Sequence, residues 1–263
     1  MNKFSVVLLC WALGLVSTAV ASTPRGRRAR RGSDPTSLSI GTPSRGRLQN
    51  AALLSESDYV RYRSGTDVFR YGTDEMVYAL EQAGKEVAAR AAGASLTVGD
   101  ISQRRGGRFR PHRSHRNGRD VDVAFYMTDT DGGVAYAERF VRFRRSGSAR
   151  DRDLPLRFDD ARNWAFLASM LMSDKAPVQH VFVSNDLKRR LLTEARRQGA
   201  SEELLDRAQR VLRQPSSGGR HDDHFHMRIY CAPGDRPRCR DSAPFHPWLT
   251  NTAATAAVSP LPS

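Results

Sequence analysis

Val121-Asp122-Val123-Ala124-Phe125 alternates large apolar residues with a carboxylate and a methyl group, the period of two expected of a β-strand with one buried face. Phe225, Met227 and Ile229 repeat the pattern further along, with His224 and His226 between them. If the two strands neighbour each other in one sheet, the apolar positions share a core face. Asp122, His224 and His226 then lie together on the other side, because residues two apart on a strand leave on the same face.

The rest of the chain supplies helices for the core face. After Thr73, a plausible cap, the residues Met76, Val77, Leu80, Ala83 and Val87 recur at helical spacing until Gly93. A second helix is predicted over 159–172 on Ala161, Trp164, Phe166, Leu167 and Met170. Asn185 is read as the cap of a helix over 186–198, and Ser201 as the cap of another reaching 212. Further strands are predicted at 96–101 and 178–183, with a loop at 102–119 rich in Arg, Gly, Ser and His. Strands and helices are interspersed, but the connections between strands differ widely in length. That pattern predicts an α+β domain, a small and mainly antiparallel sheet flanked by helices, rather than regular βαβ winding.

The chain has 263 residues, and its ends read differently from its middle. Lys3 precedes an apolar run over 4–20, and Ala19-Val20-Ala21 ahead of Ser22 is a small-residue cleavage pattern, so 1–21 is predicted to be a signal peptide. A transmembrane anchor fits less well, because Ser5, Ser17 and Thr18 interrupt a run already short of the roughly 20 residues a span needs. Lipid attachment at Cys10 lacks the small residues that processing wants before the cysteine. Residues 22–36 carry Arg25, Arg27, Arg28, Arg30 and Arg31 with almost no apolar content, a basic arm expected to be disordered. The Ala-, Thr-, Ser- and Pro-rich 250–263 is expected to be a flexible tail, which leaves 37–249 as one domain.

Export sets the reading of charge and cysteine. Cys231 and Cys239 remain after cleavage, separated by a Pro/Gly loop, and are predicted to form a disulfide. Thiolate zinc ligation would need further Cys or His at finger-like spacing, and His246 stands alone. The net charge of +14 would point to nucleic acid inside a cell, but none is expected for an exported protein. The anionic partners it meets there are peptidoglycan carboxylates and other envelope polymers, unless the arginines form only a solvated surface.

Five of the seven histidines fall in two loop-to-strand segments, 111–123 and 221–226. His115 precedes the first strand in a loop that Gly118 allows to fold back. Two imidazoles and a carboxylate with one open position are the ligand set of a catalytic zinc site; structural sites close all four positions with protein ligands. Taken alone, His-Phe-His on a strand reads as a half-exposed edge, and an Asp at a strand start as a turn cap. Convergence of the two segments is what would make them a site.

His115-x6-Asp122 with His224-x-His226 resembles the signature of the lysostaphin and D-Ala-D-Ala peptidase-like zinc peptidases. The wider text is similar to the penicillin-insensitive murein endopeptidases: Ser39-Ile-Gly-Thr-Pro-Ser-x-Gly-x-Leu48, Gly99-Asp100, Gly106-Gly-Arg-Phe109, Ser114-His-x-x-Gly-x-Asp-Val-Asp122 and His221-Asp-Asp-His-Phe-His-x-Arg-Ile-x-Cys231. The resemblance runs from about 37 to 239. It implies a Zn2+ ion on His115, Asp122 and His226 at the edge of the sheet, with His224 as general base. His112 and His221 fall on family histidines that line the site, and His112 is a candidate further ligand. The implied activity is hydrolysis of D-alanyl cross-links of peptidoglycan in the periplasm. Rivals are a zinc D-Ala-D-Ala carboxypeptidase and a non-catalytic, zinc-holding envelope binding protein. A homodimer is left open, and no Asp and His match the second metal at a subunit contact known in some members.

For the supporting residues, Arg108 or a protonated His221 is expected to stabilise the oxyanion. Asp120 is a candidate contact to a ligand histidine. Asp222 and Asp223 are read as solvated carboxylates, and Arg142, Arg144, Arg145, Arg150 and Arg152 as a solvated run.

Overall fold

The computed structural model describes residues 36–217 and 219–249. The predicted leader, the basic arm apart from Thr36, and the tail lie outside them. A six-stranded sheet organises the described residues. Its strands in chain order are β1 (Val60–Tyr62), β2 (Leu96–Val98), β3 (Asp120–Ala124), β4 (Val178–Phe182), β5 (Leu212–Arg213) and β6 (His224–Ile229). They lie side by side as β5-β4-β6-β3-β2-β1, and only the two outermost pairings are parallel. The predicted strand at 96–101 stops at Val98 because the chain turns there, although Gly99 N still donates to Asp122 O at 2.8 Å and Asp122 N to Asp100 O at 2.9 Å. Smaller antiparallel ladders join Leu38–Thr42 to Arg45–Gln49, Ala52–Leu53 to Tyr71–Gly72, and Met127–Thr128 to both Val134–Ala135 and Arg157–Phe158.

Among the described residues, four α-helices close one face of this sheet. Helix α1 (Asp74–Arg90) is capped by Thr73, α2 (Asp160–Leu171) by Asp159 and α4 (Glu202–Val211) by Ser201. Helix α3 (Asn185–Arg197) starts one residue earlier than expected, with Ser184 rather than Asn185 as its cap. Ser184 holds extended backbone and its hydroxyl accepts from Leu187 N, which leaves Asn185 as the first helical residue. None of the described helices is long and apolar enough to cross a membrane.

Val121, Val123, Phe225, Met227 and Ile229 join the buried faces of the helices in one apolar cluster. Phe225 is fully buried, edge-on to Phe125 with ring centroids 4.7 Å apart and against Phe166 at 6.0 Å. Burying such a ring contributes about 1.5–3 kcal/mol. The alternating strand pattern therefore has the consequence expected of it: apolar side chains face the helices, and Asp122, His224 and His226 project from the opposite face.

The chain after β6 is fastened back onto the sheet. Cys231 and Cys239 form a disulfide. Arg119, 1 % exposed just before β3, pairs with Asp241 at 2.7 Å and donates to Ile229 O at 2.9 Å and Arg240 O at 3.2 Å. Tyr230 donates to Pro244 O at 2.7 Å, and His246, isolated in sequence, meets Gln179 O through Nε2 at 2.9 Å.

Candidate metal centre and cleft

Strands β3 and β6 pair antiparallel with His226 directly opposite Asp122 and His224 opposite Ala124. These are the two innermost strands of the sheet. The expected position at the sheet edge is thus corrected: the cluster sits over the middle of the sheet, on the face the helices leave open.

His115 comes to the same point from the 99–119 loop. Gly118 permits the reversal, since its φ is +78° and a Cβ there would lie 2.8 Å from the Leu48 side chain. His115 itself holds φ +63°, a left-handed conformation that is costly outside glycine and recurs at functional positions. Two hydrogen bonds hold it there. Its backbone N–H donates to Asp120 Oδ2 at 3.0 Å, and its Nδ1–H donates to the Ile101 carbonyl at 2.9 Å. With the proton on Nδ1, the Nε2 lone pair faces the cluster.

Three atoms then converge. His226 Nδ1 is 2.9 Å from Asp122 Oδ1, His115 Nε2 is 3.1 Å from His226 Nδ1, and His115 Nε2 is 3.3 Å from Asp122 Oδ1. A tetrahedral ion with bonds of 2.0–2.1 Å needs its ligand atoms about 3.3 Å apart, close to the edges of this triangle. All three residues are buried. Asp120 also lies within reach of His115 and His226, but its oxygens are occupied: Arg228 pairs with it at 2.5 and 2.9 Å, and His115 N–H takes one of them as well. Asp120 thereby fixes a histidine of the cluster, as its spacing suggested.

The electrostatics point to a cation in this place. Burial alone would raise the Asp122 carboxyl, but His115, His224 and His226 hold it well below the usual carboxylate range. Burial opposes charge on His115, yet Asp122 and Asp120 carry it up to about 9. Burial keeps His226 low despite Asp122. Asp122 and His115 together thus favour one positive charge at this point.

Around this centre lies a cleft of ≈ 620 Å³ whose walls include Arg63, Arg113, Phe140, Phe182 and Arg220. His112 presents Nδ1 3.7 Å from Asp122 Oδ2, while its Nε2 is 2.8 Å from Asp100 Oδ2. An outer carboxylate fixing the ring of a histidine is the arrangement that orients metal ligands. His224 is half-buried, stacked on Phe140 at 4.4 Å, with Nε2 3.7 Å from Asp122 Oδ1. Gly99 makes room for Phe140: a Cβ there would meet its ring at 2.7 Å. Burial works against a charged His224, but Asp122 and Asp223 raise it.

Several expectations change here. Asp223 is not merely solvated: its Oδ1 lies 2.8 Å from His224 Nδ1, although the pair is not aligned as a good hydrogen bond. Asp222 is buried and held by Arg150 at 2.9 Å and Arg142 at 3.6 Å, so part of the 142–152 arginine run is ion-paired. His221 lines the cleft but is not the cation proposed for it, since burial and the neighbouring His224 and His226 pull it down to about 4 and leave it neutral. Arg108 lines a different recess and does not reach the cleft. Nothing local in the sequence marks Phe182, stacked on His226 at 5.4 Å, or His180, buried beside it with no hydrogen-bond partner on either ring nitrogen.

No curated protein matches this chain. Residues 39–251 match the model of a family described as penicillin-insensitive murein endopeptidase.

Proposed function

The chain belongs to the penicillin-insensitive murein endopeptidases, and on that premise we propose that it is a zinc-dependent enzyme cutting D-alanyl cross-links of peptidoglycan in the periplasm, after removal of residues 1–21. The observation that carries this reading is the triangle of His115 Nε2, Asp122 Oδ1 and His226 Nδ1, with edges of 2.9–3.3 Å. These three residues would hold the ion, with His112 and its Asp100 partner beside them. Zinc supplies two things when bound: a water acidified towards about pKa 7, and polarisation of the peptide carbonyl.

The protein groups do the rest. His224 Nε2 faces the cluster and accepts the proton of the attacking water, and Asp223 stabilises the imidazolium that results. The same nitrogen then returns the proton to the leaving amine. Neutral His221 keeps an N–H to donate towards the carbonyl oxygen as negative charge builds there. Arg63, Arg113 and Arg220 on the cleft walls suit the carboxylates of peptide stems.

One experiment tests the whole reading. The purified protein, stripped by a chelator and then supplied with zinc, is incubated with cross-linked muropeptide dimers and with monomeric stems ending in D-Ala-D-Ala, and the products are resolved by mass. Dimers should become monomers only with metal present, with or without penicillin, and the monomeric stems should persist. Release of free D-alanine from the stems while dimers survive would replace this reading with the carboxypeptidase. Metal binding without any hydrolysis would leave a binding protein.

A further inference from the structure

Away from the cleft, a second recess of ≈ 420 Å³ is lined by Arg45, Arg47, Arg108, Arg116, Arg238 and Arg240, and by no acidic residue. Arg47 also borders a neighbouring cavity of ≈ 550 Å³, where Arg104 and Arg105 continue the cationic surface. Segments far apart in sequence build this face, and backbone hydrogen bonds hold them together. Leu48 N donates to Arg105 O at 3.0 Å, Arg116 N to Pro43 O at 3.1 Å, Gly41 N to Arg238 O at 2.8 Å and Arg240 N to Gly41 O at 3.0 Å. The disulfide fixes Cys239 between Arg238 and Arg240.

Several buried or half-buried arginines elsewhere are matched to carboxylates, as in Arg119 with Asp241, Arg228 with Asp120 and Arg190 with Asp160, whereas the recess exposes Arg45, Arg47, Arg108, Arg238 and Arg240 and half-buries Arg116. None of the six arginines of the recess has an ion-pair partner among the described residues, and Arg116 Nε is buried without any hydrogen bond. Like charges gathered around one recess repel one another, so the arrangement does not serve the stability of the fold. A guanidinium fork matches the paired non-bridging oxygens of a phosphate, and a linear phosphate chain repeats such a pair along its length. Two recesses joined through Arg47 suit an extended chain better than a single ion.

We infer that this arginine face is a docking site for a linear, phosphate-rich polyanion, separate from the catalytic cleft. The probe is a fluorescently labelled inorganic polyphosphate, titrated with the purified protein and followed by anisotropy. The triple variant Arg45→Ser/Arg47→Ser/Arg240→Ser should bind at least about 30-fold more weakly, and the salt dependence should flatten as contacts are lost. A control removing three charges from the helical side, Lys85→Ser/Arg196→Ser/Arg210→Ser, should change affinity by no more than about twofold. Equal losses in both variants would show net charge alone at work and overturn the site. Labelled polyglutamate binding as tightly as polyphosphate would overturn the phosphate assignment. Binding to phosphatidylglycerol vesicles without binding to soluble polyphosphate would transfer the face to a membrane and overturn the polymer. Circular dichroism melting and hydrolysis of soluble muropeptide dimers, both unchanged in the triple variant, separate loss of docking from misfolding and from the fate of the cleft.

Discussion

Asp122 and His226 face each other across the β3–β6 ladder, paired in register, with Oδ1 and Nδ1 2.9 Å apart. Strand pairing alone brings them together, so the spacing of these two atoms is set by the most regular part of the fold. His115 is the third member, and its left-handed loop conformation rather than a ladder delivers it.

If these three hold the ion, His115→Ala, Asp122→Ala and His226→Ala should lose metal and hydrolysis together. Metal content by elemental analysis and turnover of dimers should fall in parallel, to background. A variant that kept stoichiometric zinc would remove its residue from the ligand set.

His224→Ala is expected to behave differently, keeping zinc while turnover falls by about 10²–10⁴-fold, the range of a missing general base. Loss of zinc in this variant would exchange the roles of the two histidines on β6.

Asp120 is fully buried against Arg228, and breaking such a pair from one side costs about 3–5 kcal/mol. Asp120→Asn should therefore lower the melting temperature by roughly 10 °C. Burial would raise the Asp120 carboxyl, but Arg228 holds it well below the usual range. A carboxyl depressed in the folded state contributes stability that is complete above its unfolded value of about 3.9 and is lost as pH falls towards the folded value. Wild-type stability should thus decline below about pH 4, and the Asn variant should lack that part of the decline. Parallel pH profiles of the two proteins would contradict the assignment.

Cys231→Ser/Cys239→Ser opens a bridge between residues 8 apart and should cost about 2–3 kcal/mol in chemical denaturation. A midpoint unchanged from wild type would show that the surrounding hydrogen bonds suffice.

The sequence made the helices, β3, β6 and the His/Asp cluster legible because their signals are local: caps such as Thr73 and Ser201, alternation in Val121 to Phe125, and histidines two apart. What escaped it depends on distant partners. Asp223 is an ordinary loop carboxylate until β6 turns His224 towards it, and Phe140 stacks on that ring from a distant part of the chain, with nothing in its own neighbourhood to mark it. Phe182 and His180 meet His226 only because β4 lies next to β6. The placement of the cluster at mid-sheet was illegible for the same reason, since strand order is a property of the assembled sheet. Arg108 went astray because charge near a motif in sequence says nothing about which side of the loop it takes.

The ion pair between Arg119 and Asp241 also sets where the chain can be shortened. Asp241 lies beyond β6 and the disulfide, yet it neutralises a guanidinium enclosed at the start of β3, the strand that carries Asp122. A truncation ending before residue 241 would strand that cation in the interior, next to the strand that carries Asp122. Any expression boundary chosen from the last strand or the last cysteine would therefore cut into the support of the cluster itself.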